Sequence, residues 1–385
     1  MDCQRHLFSL EPDVTYLNMA YMSPLLKAVE SAGIKGLQGK KRPYGIAPTD
    51  FFQPVQQLKE TFAQFIQTTE PERVAIIPSV SYGLAAVARN LPLRAGGEIL
   101  VVEEQFPSNF YAWQRLAHDA KVRIRTVSAP SQAPLTQRGI AWNEAILQQI
   151  TKDTLLVALP QVHWSEGLLF DLRAIRKKTR EVGAWLAIDA TQSLGAYPFS
   201  VAEIQPDALV AGAYKWLLGP YSFGLAYYGP ALDGGIPVEE NWMHRKNSEN
   251  FRGLTHYEDS YKGKANRYCV GETSNFIAVP MMQAALDQLT TWGTDAIQAY
   301  CAGITKETFA TLQEKGFGIL PATQRGEHLF GIKLLPGMHL EKLAEQLKQQ
   351  KIFVSFRGEY IRVAPHCYNT AEDLAKLAEV LIGHR

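Results

Sequence analysis

The sequence predicts an α/β protein: a mostly parallel sheet of the seven-stranded type, covered by helices, with a smaller α+β domain. Two observations carry this. Between about residues 55 and 229, short runs that are apolar at nearly every position alternate with stretches of helical periodicity. Strands buried on both faces read as continuous apolar runs, and their alternation with helices marks parallel strands joined by crossovers. After about residue 290 the texture shifts to shorter strand runs interleaved with two amphipathic helices.

In chain order, Val55, Leu58, Phe62, Phe65 and Ile66 share one face of a first helix. "RVAIIPS" reads as a strand and "SYGLAAVARNL" as the helix after it. "EILVVEE" and "FYAWQRLAHDA" repeat the strand–helix pair, and "KVRIRTV" and "TLLVALPQV" are two more strands. Leu172, Ile175, Thr179 and Val182 make the inner face of the next helix. "AWLAIDA", "DALVAGA" and "FGLAYYG" complete the large sheet. Residues 233–275 are rich in Gly, Asn, Trp, Tyr and His and lack periodicity, as functional or interface loops do. "FGIL", "HLFGIKLL", "KIFVSF" and "YIRVAP" read as strands of the smaller domain, with helices in "LEKLAEQLKQQ" and "AEDLAKLAEVL". The expected division is residues 16–290 for the large domain, with 1–15 and 291–385 forming the small one.

Composition removes several function classes. Lys plus Arg number 39 against 38 Asp plus Glu, so no net field draws the chain to nucleic acid or anionic lipid. No apolar run approaches the roughly 18 residues a membrane span needs. "MDCQRHLFSLEPD" lacks the basic-then-apolar pattern of a signal peptide. Cys3, Cys269, Cys301 and Cys367 are scattered, which suits reduced thiols in the cytoplasm and no disulfide framework. The histidines show no H-x-H or H-E-x-x-H spacing, so no metal site is expected. Neither G-x-G-x-x-G after the first strands nor a Walker sequence is present, which argues against a nucleotide-binding protein.

The chemistry begins at Lys215, in "PDALVAGAYKWLLGPYSFGLAYYG". Lysine is seldom buried, because an unpaired ammonium loses several kcal/mol of hydration. Either this side chain reaches solvent or it works as a neutral amine. It follows a strand, and open α/β sheets bind ligands beyond the carboxyl ends of their strands. Asp189 ends the preceding strand, "AWLAID", where it could also cap a turn. A lysine and an aspartate at adjacent strand ends are the pair that pyridoxal 5'-phosphate requires. The amine forms the Schiff base, and the carboxylate keeps the pyridine nitrogen protonated. "PSVSYGLAA" then offers Val80 and Ser81 at a helix start as phosphate donors, though Ser81 also reads as a plain N-cap.

"IDATQSLGA", "AGAYKWLLGPYSFGLAYYG" and "IRVAPHCYNTAED", in that order, resemble the class V aminotransferase family of pyridoxal-phosphate enzymes, whose fold is type I. The likeness runs from "YLNMAYMSPL" to "YNTAED" and lies nearest the isopenicillin N epimerase-like, kynureninase-like and cysteine desulfurase-like branches. It implies that Phe106, in "EQFPSNFYAW", stacks on the cofactor ring, that Gln192 reaches its phenolic oxygen or imine, and that Tyr214 ligates its phosphate. "GETSN" is similar to a loop whose threonine contacts the phosphate bound by the neighbouring subunit; this assigns Thr273 and implies a homodimer with a shared active site. Asn18 and Arg362 are the implied substrate residues, with Arg362 forking the α-carboxylate of an amino acid.

The sequence also departs from the family. Desulfurases carry a reactive cysteine shortly before the substrate arginine, but "KIFVSFRGEYIRV" has none. His163 and Trp164 stand where many relatives show Ser-Asn, which tilts the resemblance toward the isopenicillin N epimerase-like and kynureninase-like branches, and Trp242 points the same way. The expectation is a cytoplasmic enzyme acting at the α-carbon of an amino acid, first an aminotransferase. A carbon–sulfur or β-lyase or an epimerase is the alternative in the same chemistry, and a catalytically silent scaffold is the alternative outside it.

Overall fold

The computed structural model describes residues 1–384. Its strands are β1 (Thr15–Tyr16), β2 (Val74–Ile77), β3 (Glu98–Val102), β4 (Arg123–Val127), β5 (Thr154–Pro160), β6 (Trp185–Asp189), β7 (Ala208–Gly212), β8 (Gly224–Tyr228), β9 (Gly318–Ile319), β10 (Phe330–Lys333), β11 (Ile352–Phe353), β12 (Ser355–Arg357) and β13 (Tyr360–Val363). Seven of them form the large sheet in the order β2-β8-β7-β6-β5-β3-β4. Neighbours from β7 to β4 are parallel, and β8 runs antiparallel to both β7 and β2.

Side-chain alternation explains why the central strands are apolar throughout. In β5, Val157 and Leu159 enter one core with Trp142 and Ile175, while Leu156 and Ala158 enter the opposite core with Trp113 and Leu84. In β6, Leu186 and Ile188 face the first core and Ala187 the second. A period of two therefore loads both faces, and each fully buried Leu, Ile or Val contributes about 1.5–3 kcal/mol. The helix Leu172–Val182 covers one face through buried Leu172, Ile175 and Thr179. Asp171 caps its start by accepting from the Ala174 N–H, and Gly183 ends it in the left-handed conformation.

A second, antiparallel sheet has the order β12-β13-β10-β9 and its own core, with Phe330, Ile361, Leu343 and Leu377. "KIFVSF" does not form the single strand expected. Ile352–Phe353 pairs in parallel with Thr15–Tyr16, and Ser355–Arg357 joins the four-stranded sheet beside β13. The run changes partners at Val354, and β12 and β13 carry Arg357 and Arg362. Two helices without a sequence assignment, Ala278–Trp292 and Thr294–Glu314, follow the irregular segment. Among the described residues, no helix is long and apolar enough to cross a membrane.

Candidate active site

Asp189 is the last residue of β6 and is buried. Its Oδ1 accepts from the Thr191 N–H at 3.0 Å. The Thr191 hydroxyl in turn accepts from the Gly212 N–H at 3.2 Å, tying the carboxyl ends of β6 and β7 together. Lys215 follows β7 in a tight turn: its carbonyl accepts from the Leu218 N–H, and Ala213 O accepts from the Gly219 N–H, both at 2.9 Å. Gly195 holds this turn from behind, with φ +105° and a Cβ position only 2.2 Å from Trp216 O. No residue with a side chain fits that approach without displacing backbone.

The two side chains face one cavity of about 370 Å³, which Val80, Ser81, Phe106, Gln192 and Tyr214 also line. The helix Val80–Asn90 opens onto it with its N terminus. The N-cap is Ser79, whose hydroxyl accepts from the Tyr82 N–H at 3.2 Å, and not Ser81. Ser81 lies in the first turn, 2.9 Å from Ser79 across their hydroxyls. A second cavity of about 330 Å³ shares Lys215, Phe106, Trp164, Tyr214 and Tyr221 with the first and adds Arg357 and Arg362. Lys215 therefore stands in the wall between a carboxylate-and-helix compartment and an arginine compartment.

Two expected residues line neither cavity. Asn18 is bridged to Ala364 by its backbone, and its Oδ1 accepts from the Ser355 hydroxyl at 2.8 Å. It supports the strand pair that carries Arg357 and Arg362. Thr273 lines a separate cavity with Phe51 and Phe52, its hydroxyl 3.7 Å from Met243 Sδ. Gln192 does reach the first cavity, but its Nε2 donates to Ala20 O at 3.1 Å and its Oε1 accepts from Trp216 at 2.9 Å. His163 is wholly buried against Trp142 and lines neither cavity, and Trp242 packs in an aromatic cluster with Phe51, Phe52 and Phe251. No cysteine lines either cavity.

Burial dominates the electrostatics. It pushes the Lys215 amine down to about 8; positive Arg362 adds to this, and Asp189 partly opposes it. No carboxylate lies within ion-pair distance of Lys215 among the described residues, and its Nζ sits 5.4 Å from the ring centres of both Phe106 and Tyr214. Burial raises the Asp189 carboxyl against the pull of its Thr191 hydrogen bonds. It lowers Arg362 to about 9, with Arg357 repelling from nearby. Arg362 Nη1 donates to Trp164 O at 3.1 Å, and its Nε is buried with no partner.

Sequence reasoning missed Ser79, Asn109, Thr191 and Arg357 altogether, and it singled out Trp164 only as a departure from the family. Asn109 lines the first cavity with its Oδ1 engaged by Trp113 at 3.0 Å and its Nδ2 buried without a partner. That orphan donor, a helix N terminus, a buried amine and a buried carboxylate fit a phosphorylated, flat, basic heteroaromatic aldehyde. The residues present therefore suit pyridoxal phosphate.

The sheet order and the cleft at its strand ends define the class: an α/β enzyme of the pyridoxal-phosphate type I fold. Residues 46–377 match the family model "Aminotransferase class-V", and the chain belongs to that family of pyridoxal-phosphate-dependent enzymes acting on amino acids. It is 30% identical to the uncharacterized aminotransferase YcbU of Bacillus subtilis, over 82% of this chain and 80% of that one. It is 25% identical to the isopenicillin N epimerase of Amycolatopsis lactamdurans, over 98% and 96%. The apo cysteine desulfurase of Thermococcus onnurineus superposes with a TM-score of 0.84 at 19% identity, covering 100% of this chain and 98% of that one, a likeness of fold.

Proposed function

We propose that the chain is an aminotransferase whose cofactor is carried by Lys215 and whose amino-acid substrate is held by Arg362. The observation that carries this reading is the position of Lys215, a buried amine shared by the cavity that contains Asp189 and the cavity that contains Arg362. When bound, pyridoxal phosphate withdraws electrons from the bonds at an amino acid's α-carbon.

The chain's own residues do the rest. Ser79, Val80, Ser81 and Asn109 supply donors for the phosphate at the positive end of a helix. Asp189 would meet the ring nitrogen and favour its protonated form. Phe106 would offer the ring a flat wall. Arg362 forks the α-carboxylate through Nε and an Nη, which fixes the bond to be broken relative to the ring. Lys215 Nζ, lowered to about 8, spends an appreciable fraction of its time neutral near physiological pH and so can take the α-proton and return it. No cysteine lines either cavity, which disfavours sulfur transfer to a protein thiol.

Thr273 lies away from the first cavity, in a separate one beside half-buried aromatic residues. The homodimer, in which the partner subunit's Thr273 reaches this chain's phosphate site, rests on the likeness of residues 271–275 to the family's loop. The four free cysteines support a cytoplasmic setting. Residues 16–290 form the cofactor-binding unit in this reading, with 1–15 and 291–385 as the second.

The test is a panel of amino acids against the purified holoprotein, assayed in parallel for keto acid, ammonia, sulfide and loss of chirality. Keto acid formed only with an amino acceptor present identifies transamination; ammonia or sulfide identifies a lyase, and inversion an epimerase. Borohydride should fix the chromophore to Lys215, and Lys215→Ala should abolish that label. A colourless protein that takes up no added cofactor overturns the reading.

A further inference from the structure

Arg357 has no part in the reading above, yet it faces the same substrate compartment. It ends β12, which pairs antiparallel with the strand that carries Arg362. The two guanidinium carbons lie 5.3 Å and 6.0 Å from the centre of the Trp164 ring, so both cations gather around one indole. Arg357 Nη1 donates to Phe356 O at 2.6 Å, and its Nε is buried without a partner. Among the described residues, no carboxylate lies within ion-pair distance of either guanidinium, and no acidic residue lines the cavity they share with Lys215.

Two arginines and a lysine around one small acid-free cavity repel one another. Burial and Arg357 together lower Arg362. Such an arrangement costs folding free energy unless anions occupy it. One carboxylate is accounted for at Arg362. The cofactor's phosphate does not account for the other charge, because neither arginine lines the cavity that holds the helix N terminus. The open donors of Arg357 match a second carboxylate in the same way that those of Arg362 match the first.

We infer that the substrate is an amino acid with a second carboxylate on its side chain, and that Arg357 binds that carboxylate. This rests on the reading of Arg362 as the α-carboxylate site. Trp164 lies beside both guanidinium groups, and Tyr21, an exposed residue, lines the same cavity.

The experiment compares L-glutamate with L-glutamine and L-aspartate with L-asparagine on the holoenzyme. The wild type should favour each acid over its amide by at least about tenfold in kcat/KM. Arg357→Gln should lower kcat/KM for the acids by about 30- to 300-fold and by much less for the amides, so that the preference collapses. Arg357→Lys should recover part of it. Calorimetry with glutarate, which has no amino group, provides a readout independent of turnover: binding should weaken at least about tenfold in Arg357→Gln. A wild-type preference for the amides, an equal loss for acid and amide, or glutarate binding untouched by both Arg357 variants would overturn the inference. A colourless protein overturns the cofactor reading instead, and glutarate binding still decides whether Arg357 is an anion site.

Discussion

Replacing Arg362 with glutamine separates the substrate role of this residue from any structural one. Arg362 is 2% exposed and has no acidic partner among the described residues; one nitrogen serves Trp164 O and Nε has no hydrogen-bond partner. A substrate carboxylate in that fork is desolvated, and stranding it without its cation costs about 2–5 kcal/mol. At about 1.4 kcal/mol per decade, kcat/KM should fall by roughly 30- to 4,000-fold. Stability should move the other way or not at all. The folded chain holds the Arg362 proton less tightly than the unfolded chain, because the group is lowered to about 9, so its charge opposes folding at neutral pH. The assay is kcat/KM for a good substrate and for the corresponding amine without its carboxylate, together with a thermal melt. The expected pattern is a large loss for the amino acid, little change for the amine, and a melting temperature equal to or above wild type. An equal loss for both compounds, or a fall below about fivefold for the amino acid, would refute the carboxylate role.

Four further outcomes follow from the site. In the apoprotein, the rate at which Lys215 condenses with an added aldehyde should rise through a midpoint near pH 8; a midpoint above 10 removes the argument from burial. The same lowered amine makes apoprotein stability rise between pH 8 and 10.5, since there the unfolded chain binds a proton that the folded chain has released, and urea melts across that window test the slope. Asp189→Asn keeps an acceptor for the Thr191 N–H but removes the charge, and should cost about 10²-fold in kcat/KM with little loss of fold, checked by kinetics and circular dichroism. Gly195→Ala places a methyl 2.2 Å from Trp216 O at φ +105°; a cost of at least about 1–3 kcal/mol and weaker cofactor retention are expected, read from the melt and from absorbance after dialysis.

The central strands were legible because burial on both faces leaves no polar position to blur the pattern, as in Leu155–Leu159 and Ala208–Ala211. Asp189 and Lys215 stood out for the same reason: a polar residue at the end of an apolar run has nowhere to go but the cleft. The cap was misplaced by two positions because "PSVS" offers two serines and only the backbone decides which one turns the corner. Helices Ala278–Trp292 and Thr294–Glu314 went unassigned although each buries one face: in the second that face includes Thr305 and Thr308, which do not read as apolar, and in the first several alanines weaken the contrast between faces. Asn109, Arg357 and Trp164 join the site through packing between elements far apart in sequence, and no local pattern encodes that. Asn18 illustrates the converse: the resemblance assigned it to the substrate, but its side chain is committed to Ser355.

The reversal of β8 has a consequence for how much change the cofactor-bearing turn tolerates. A parallel neighbour requires a crossover of a dozen or more residues, usually a helix on the sheet's face that can lengthen freely. Residues 213–223 instead link β7 directly to the antiparallel strand beside it, with Gly212 opposite Gly224. Both anchors of this connection are rigid, so an inserted residue cannot be taken up as surface slack and must shift the amine itself. Loop grafting and domain insertion in this enzyme should therefore succeed on the helical crossovers and fail here, which makes the shortest link of the sheet the part of the chain least open to remodelling.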